Sequence, residues 1–316
     1  MIIGVDLLGG DLGAETTLPA CRRFLEKNPN AELLVFTTRD VEVQPEPRLN
    51  VEYCESSIAM GDNVRQALKK KHSSTMGCCL AALSSGRVDG VLSLGNTGAY
   101  MALAMRIVGM SSEYSKTAIC SAVPPFSSEY PIYMTDVGAN VDCKPEDLLG
   151  FATMASREMC FANNPIRIGL LNVGHEDIKG SQLVKAAHQL LLDHQPDYIG
   201  YVEPKDIIAK KVNLVVTDGF NGNIYIKGIS ATTYHVMKHI LGKAKDSSIF
   251  GALGLGMTLS SIKNAIETFK GPFASAKWLG LNGVVVKCHG NASINDVVCG
   301  LGLAYDWIKL RVSEAA

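Results

Sequence analysis

Four times in this chain a short apolar run stops at a turn rich in glycine and asparagine, and a helical pattern follows. The clearest case is Val88-Asp89-Gly90-Val91-Leu92-Ser93-Leu94 leading into Gly95-Asn96-Thr97-Gly98. Ile2 to Asp6 precedes Gly9-Gly10-Asp11, Ile168 to Asn172 precedes Gly174, and Leu214 to Asp218 precedes Gly219-Phe220-Asn221-Gly222-Asn223. A strand that turns sharply into a helix leaves unpaired N–H groups at the edge of a parallel sheet, and such an edge holds anions. The repeated pattern predicts a doubly wound α/β fold.

The 316 residues suffice for one large α/β domain or two ordinary ones. A hydrophobic share of 47% supplies a sizeable core and argues against disorder. A net charge of −1 argues against a general nucleic-acid binder, which is usually more basic. The nine cysteines form no C-x-x-C pair, and Cys78 and Cys79 are adjacent; such scattered thiols read as free cysteines of a reducing cytosol. The N-terminus runs straight into a strand, so no secretory signal is expected. The uncharged stretch between Asp246 and Lys263 is too short and too broken by glycine to span a bilayer. The expectation is a cytoplasmic protein that can still touch a membrane surface.

Ile2–Val5, Leu33–Thr37, Val51–Cys54 and Val88–Leu94 read as strands, with helices at Leu18–Lys27 and Asn63–Lys71 between them. Thr117–Val123 and Ile132–Val137 read as an antiparallel pair, because the link through Pro124-Pro125 is too short for a crossover helix. Pro145 suits a first helical position, followed by Glu146 and Asp147. Ile168–Asn172, Tyr198–Val202, Leu214–Thr217 and Val284–Cys288 resume the strand rhythm. Helical patterns dominate from about Ile229 to Phe269, interrupted at Gly251–Gly256. The expected organisation is one α/β domain over residues 1–316, with a helical pair at 229–270 protruding from it.

The helix-opening turns are not equivalent. Glu146 and Asp147 already occupy the positive end of the helix after Pro145, which disfavours a further anion there. The helix after Gly95-Asn96-Thr97-Gly98 continues Ala99-Tyr100-Met101-Ala102, with no acid in its first turn. Asn96 or Thr97 can cap it, and Gly98 permits close backbone approach. The turn reads equally as a phosphate site or as a helix cap and nothing more. Lys144, Lys179, Lys227 and His289 follow other strand ends, which converge on one crevice in such folds. Singly, each is equally a solvated or structural residue. Asp136, Asp142, Asp218 and Glu176 could bind Mg²⁺, but carboxylates at strand ends also cap helices. No zinc-type spacing, Walker lysine, nucleophile elbow or G-x-G-x-x-G first turn is present, so no cofactor or metal is expected.

The run Asp136-Val137-Gly138-Ala139-Asn140-Val141-Asp142-Cys143-Lys144-Pro145 is the most specific motif in the chain. With Gly9-Gly10-Asp11, Gly95–Ala99, Asp218–Asn223 and Leu279-Gly280-Leu281-Asn282-Gly283-Val284, it resembles the bacterial PlsX family of acyl-ACP:phosphate acyltransferases from Ile2 to about Asn291. The resemblance implies a three-layer α/β/α fold with a large mostly parallel sheet, like isocitrate and isopropylmalate dehydrogenases. It implies a homodimer that moves a fatty acyl group from acyl carrier protein to inorganic phosphate, feeding a glycerol-3-phosphate acyltransferase in phospholipid synthesis. It also implies peripheral membrane contact. The sequence departs from the family pattern at His175, Pro204-Lys205, Ile229-Ser230 and Ala14-Glu15.

Given that activity, phosphate is assigned to the amides of Asn96, Thr97 and Gly98, helped by Lys144 and Lys179. Carbonyl polarisation is assigned to Asn223, Lys227 or His289. Asp11, Asp136, Asn140, Asn172, Glu176, Asp218 and Asn282 are further cleft candidates. Lys69-Lys70-Lys71-His72, Lys205 and Lys210-Lys211 are candidate docking charges for the acidic carrier protein, the bland alternative being a solvated charge run. Phe250, Leu253, Leu255 and Met257, with Ile249 and Leu259, form an apolar tip flanked by Lys238, Lys243, Lys245 and Lys263, suited to an anionic lipid surface or to a dimer interface. Rival readings are an NAD-dependent dehydrogenase of the same fold, a short-chain phosphotransacylase using acyl-CoA, and a non-enzymatic membrane scaffold for acyl carrier protein.

Overall fold

The computed structural model describes residues 1–44, 46–70, 72–123, 131–159, 164–246 and 275–315. Strands β1 (Ile2–Asp6), β2 (Glu32–Thr38), β3 (Leu49–Cys54) and β4 (Gly90–Ser93) alternate with α1 (Ala14–Lys27), α2 (Val64–Lys69) and α3 (Thr75–Ser84). Helix α4 (Thr97–Ile107) leads to β5 (Ala118–Val123) and its antiparallel partner β6 (Ile132–Thr135). Then come α5 (Pro145–Glu158), β7 (Ile168–Leu171), α6 (Gln182–His194), β8 (Tyr198–Val202), α7 (Pro204–Ile208), β9 (Leu214–Val216) and α8 (Gly219–Asp246). Strands β10 (Ser275–Leu279) and β11 (Val284–Cys288) and helix α9 (Ile294–Ala315) follow.

Among the described residues these strands form a single 11-stranded sheet, ordered β3-β2-β1-β4-β11-β10-β5-β6-β9-β7-β8. Strand β10 is antiparallel to both neighbours, and β5 is antiparallel to β6. All other pairs are parallel. Hence β1–β5 and β11 run one way, and β6–β10 run the other. The turns after β1, β4 and β11 therefore open on one edge, here the β4 edge. Those after β6, β7, β8 and β9 open on the opposite edge, the β6 edge.

Side chains alternate across the sheet as a two-residue period requires. Ala118, Cys120 and Ala122 of β5 join the cluster covered by α1, α5, α6 and α9, while Ile119 faces α3 and α4. On that second face, Ile132, Met134 and Val215 pack with Ile226 of α8. The architecture is three-layered, as expected. Helix α4 is fixed by Tyr100, fully buried edge-to-face on Trp278 with centroids 5.5 Å apart. Such a pair adds about 0.5–1.5 kcal/mol to the burial itself.

Two expectations need correction. Helix α8 starts at Gly219, ten residues before the expected Ile229, because Asp218 caps it: its Oδ1 accepts the Phe220 and Asn221 N–H groups at 3.0 and 2.9 Å. The Asn-Gly sequence read as a turn is a capped first helical turn. Strand β10, Ser-Ala-Lys-Trp-Leu, was absent from the expected strands because Lys277 interrupts its apolar pattern. The Pro124-Pro125 link and the 247–270 part of the protrusion, including Phe250, Leu253, Leu255 and Met257, lie outside the described residues. No described helix is long and apolar enough to cross a membrane.

Candidate functional site

The turn after β4 is held from below. Ser93 Oγ donates to buried Asp6 Oδ2 at 2.7 Å and accepts the Gly95 N–H at 3.0 Å. The Thr75 hydroxyl also binds Asp6. Burial raises the Asp6 pKa, opposed by these hydrogen bonds and by the charge of Lys287. A Cβ on Gly9 would stand 2.6 Å from the Gly95 nitrogen, so only glycine lets the β1 and β4 loops meet backbone to backbone.

Asn96 caps α4, its Oδ1 accepting the Ala99 N–H at 3.0 Å. Its Nδ2 donates to Met60 O at 2.7 Å and Asp62 O at 3.0 Å, which ties the cap to the segment before α2. Thr97 and Gly98 are exposed, and the first turn carries no acid. Amides in a first turn lack an intrahelical acceptor. Such amides, with the helix dipole behind them, accept an anion.

Positive charge gathers beside this turn. Lys287, 8% exposed at the end of β11, donates from Nζ to Leu94 O at 3.2 Å and also to Cys288 O. Burial lowers its pKa to about 8, with the charges of Asp6 and Asp11 among those opposing the shift. His289 meets solvent on one side, yet crowding by protein, then the charges of Lys287 and Lys227, lower its pKa. The Asp11 N–H donates to Gly290 O at 2.8 Å, closing the β1 loop onto the β11 loop. The β4 edge thus brings together Asp11, Asn96, Thr97, Gly98 and His289, with Lys227 in electrostatic reach. Lys287 was missed by sequence reasoning; the available signal was a single lysine inside the apolar run Val284–Cys288, next to His289.

The remaining candidates lie elsewhere, and strand ends do not converge on one crevice. Lys144 and Lys179, expected to help hold the anion, follow β6 and β7 and so emerge at the β6 edge. There Lys179 is exposed and pairs with Glu176 at 2.8 Å, each drawing the other toward its charged form. The Asp136 carboxylate accepts the N–H groups of Ile119, Gly138, Ala139 and Asn140 and the Asn140 side chain. It builds the turn after β6. Burial raises its pKa against those hydrogen bonds. Asn172 pins its own loop through Gly174 O and Lys179 O, and Asn282 holds Met110 O beyond the far end of α4. Asn223 Nδ2 lies 3.1 Å from where a Gly138 Cβ would stand. Lys227 is one turn further along α8, so this helix links the β6 edge to the β4 edge.

Several candidate docking lysines are already paired: Lys70 with Asp62 at 3.2 Å, Lys205 with Glu203 at 3.1 Å and Lys211 with Asp206 at 2.7 Å. His175 Nε2 sits 2.9 Å from Asp206 Oδ2 and 3.5 Å from Glu203 Oε1. The departures at His175 and at Pro204-Lys205 are therefore neighbours in one cluster.

Residues 1–315 match the model of the family described as "Fatty acid synthesis protein". The phosphate acyltransferase of Herminiimonas arsenicoxydans is 33% identical, the match covering 99% of this chain and 89% of that protein. The phosphate acyltransferase of Methylococcus capsulatus is 34% identical over 92% of this chain and 88% of its own. Among solved structures, the Streptococcus pyogenes phosphotransacetylase superposes with a TM-score of 0.59 at 17% identity, covering 98% of this chain and 94% of that one. A 4-hydroxythreonine-4-phosphate dehydrogenase from Klebsiella pneumoniae gives 0.53 at 12%, with 98% and 97% covered, so the architecture is shared with dehydrogenases. On the full-length match at these identities, the chain belongs to the phosphate acyltransferase family of enzymes.

Proposed function

We propose that the chain transfers a fatty acyl group from the thioester of acyl carrier protein to inorganic phosphate, giving an acyl phosphate for phospholipid synthesis. The observation that carries this reading is the exposed first turn of α4, Thr97 and Gly98, with Lys287 seated behind it. A phosphate oxygen attacks the thioester carbonyl carbon, forming a C–O bond while the carbonyl electrons move to oxygen. Collapse of that intermediate breaks the C–S bond, and the thiolate leaves and takes a proton.

Phosphate is anionic at neutral pH, so no Ser-His-Asp device is required. Holding it beside the carbonyl supplies on the order of 7 kcal/mol at the low end. The Asn96–Gly98 turn holds the anion, and Lys287 acts through the Leu94 carbonyl as a positioning charge. Lys227 or His289 polarises the carbonyl. The lowered pKa of His289 leaves it neutral at pH 7, a hydrogen-bond donor rather than a cation. The leaving thiol has a pKa of about 8.5 and needs little help to depart.

The same reading includes a homodimer, docking of the acidic carrier protein on lysine-bearing surface, and membrane contact through residues 249–259. The test is hydroxylamine trapping of acyl phosphate from long-chain acyl carrier protein plus phosphate, with acyl-CoA as the competing donor. The run is repeated with anionic liposomes and followed by flotation. Phosphate-dependent release of free carrier protein is expected. Turnover with short acyl-CoA alone would favour the short-chain phosphotransacylase, and carrier binding without turnover would favour a scaffold.

A further inference from the structure

Cys54 closes β3, Cys78 lies one turn into α3, and both are half-buried. The two thiols lie close enough to shift each other's pKa in opposite directions, and the Cys78 S–H donates to His72 O at 3.5 Å. The backbone enforces this meeting. The Glu55 and Ser56 N–H groups donate to Ser73 O at 3.1 Å each, and the Thr75 N–H donates to Ser56 O at 2.9 Å. The Ser56 and Ser73 hydroxyls lie 3.3 Å apart. The strand end carrying Cys54 is thus zipped to the entry of the helix carrying Cys78, before side-chain rotamers are considered.

We propose that Cys54 and Cys78 are a modification site, a thiol pair that closes reversibly to a disulfide and thereby alters the α4 turn. Cys78 is the attacking thiol: the neighbouring Cys54 lowers its pKa, while that of Cys54 rises. Burial pushes neighbouring Cys79 well up, which removes it as a competitor. The oxidant is a small disulfide of the glutathione type. The Cys78 thiolate attacks one sulfur and expels a thiolate, giving a mixed disulfide. Cys54, deprotonated, then attacks Cys78 Sγ and expels the second thiolate. The pair loses two protons and two electrons, and the small disulfide leaves as two thiols.

The segment between the two cysteines frames the anion turn. Met60 O and Asp62 O hold the Asn96 side chain. Val64 Cγ2 lies 3.5 Å from where a Gly98 Cβ would stand, and Met60 Cε lies 2.7 Å from the corresponding point at Gly290. In α3, Thr75 binds Asp6, and the Met76 methyl packs on Gly95. Drawing the end of β3 onto α3 therefore pulls on the carbonyls that orient the cap of α4. This coupling rests on the acyl-transfer reading; the disulfide itself does not.

The whole protein is equilibrated with graded ratios of reduced to oxidised glutathione, free thiols are alkylated, and peptides are mapped by mass spectrometry. A Cys54–Cys78 linked pair is expected, two hydrogens lighter than its reduced peptides, lost on dithiothreitol and absent from Cys54→Ser. A stable glutathione adduct on Cys78, or a Cys78–Cys79 bond, would overturn the assignment. In parallel, the oxidised enzyme should show a severalfold change in KM for phosphate that dithiothreitol reverses and that a Cys54→Ser/Cys78→Ser double variant lacks. A mapped disulfide with an unchanged KM overturns the coupling. Absence of phosphate-dependent turnover in both redox states overturns the acyl-transfer reading instead, and the mapping still decides the pair.

Discussion

A Cβ at position 98 would stand 3.5 Å from Val64 Cγ2 and 3.6 Å from Asn96 Oδ1, both ordinary contacts. The protein itself therefore does not require glycine there, so under the proposed function the requirement would come from the ligand. Gly98→Ala should fold with an unchanged or higher melting temperature, since alanine in a helix is favoured by up to about 1 kcal/mol. Its KM for phosphate should rise roughly tenfold, about 1.4 kcal/mol. An unchanged KM would remove these amides from the site. Lys287 gives a second residue-level expectation. Its folded pKa of about 8 lies below its ordinary 10.5, so the unfolded chain binds more protons between those values. Stability should climb across that interval and be lowest below it. Phosphate affinity, which in the proposed function draws on the charged form, should decline over the same rise. Urea melts and phosphate titrations from pH 7 to 10.5 should thus trend oppositely, and Lys287→Met should flatten both. Asn96 and Gly98 were legible because a glycine turn advertises itself. Lys287 was not, because one lysine among valines reads as a solvated strand residue until a partner carbonyl is found.

At the scale of elements, caps decide boundaries. The start of α5 at Pro145 was readable from proline followed by Glu146 and Asp147. The start of α8 was not, since Gly219-Phe220-Asn221-Gly222-Asn223 is turn-like in composition. Asp218 wins by accepting the Phe220 and Asn221 N–H groups and, at 2.6 Å, Asn221 Nδ2. Asp218→Ala should cost about 1–2 kcal/mol in urea unfolding. It should leave KM for phosphate near normal, because this cap sits at the β6 edge; a large rise in KM would tie the two edges together more closely than the topology does. The cluster of His175, Glu203 and Asp206 makes the same point about legibility. Residues separated in sequence form one feature because β7 and β8 lie side by side.

For the whole molecule, the apolar runs revealed the class of fold, most of its strands and the antiparallel β5–β6 pair, but not the direction of the other strands. The short Pro124-Pro125 link marks the first reversal, but nothing in Thr117–Val123 or Ile132–Val137 says that β7 to β10 keep the reversed direction and that β11 returns to the first. That reversal is why Lys144 and Lys179 stand away from Asn96–Gly98 although each follows a strand, as the turn does. Apolar periodicity reports which residues are covered; it carries no information on which neighbour covers them or from which end.

Strands β10 and β11, last in sequence, occupy the middle of the sheet, wedged between β4 and β5. A nascent chain on the ribosome therefore cannot complete its centre until residue 288 has left the exit tunnel. Until then β4 and β5 carry bare hydrogen-bonding flanks, the condition under which partly made proteins stick to one another. The same late hairpin delivers Lys287 and the loop that meets Asp11. Completion of the sheet and arrival of the buried lysine behind the α4 turn thus coincide in a single event.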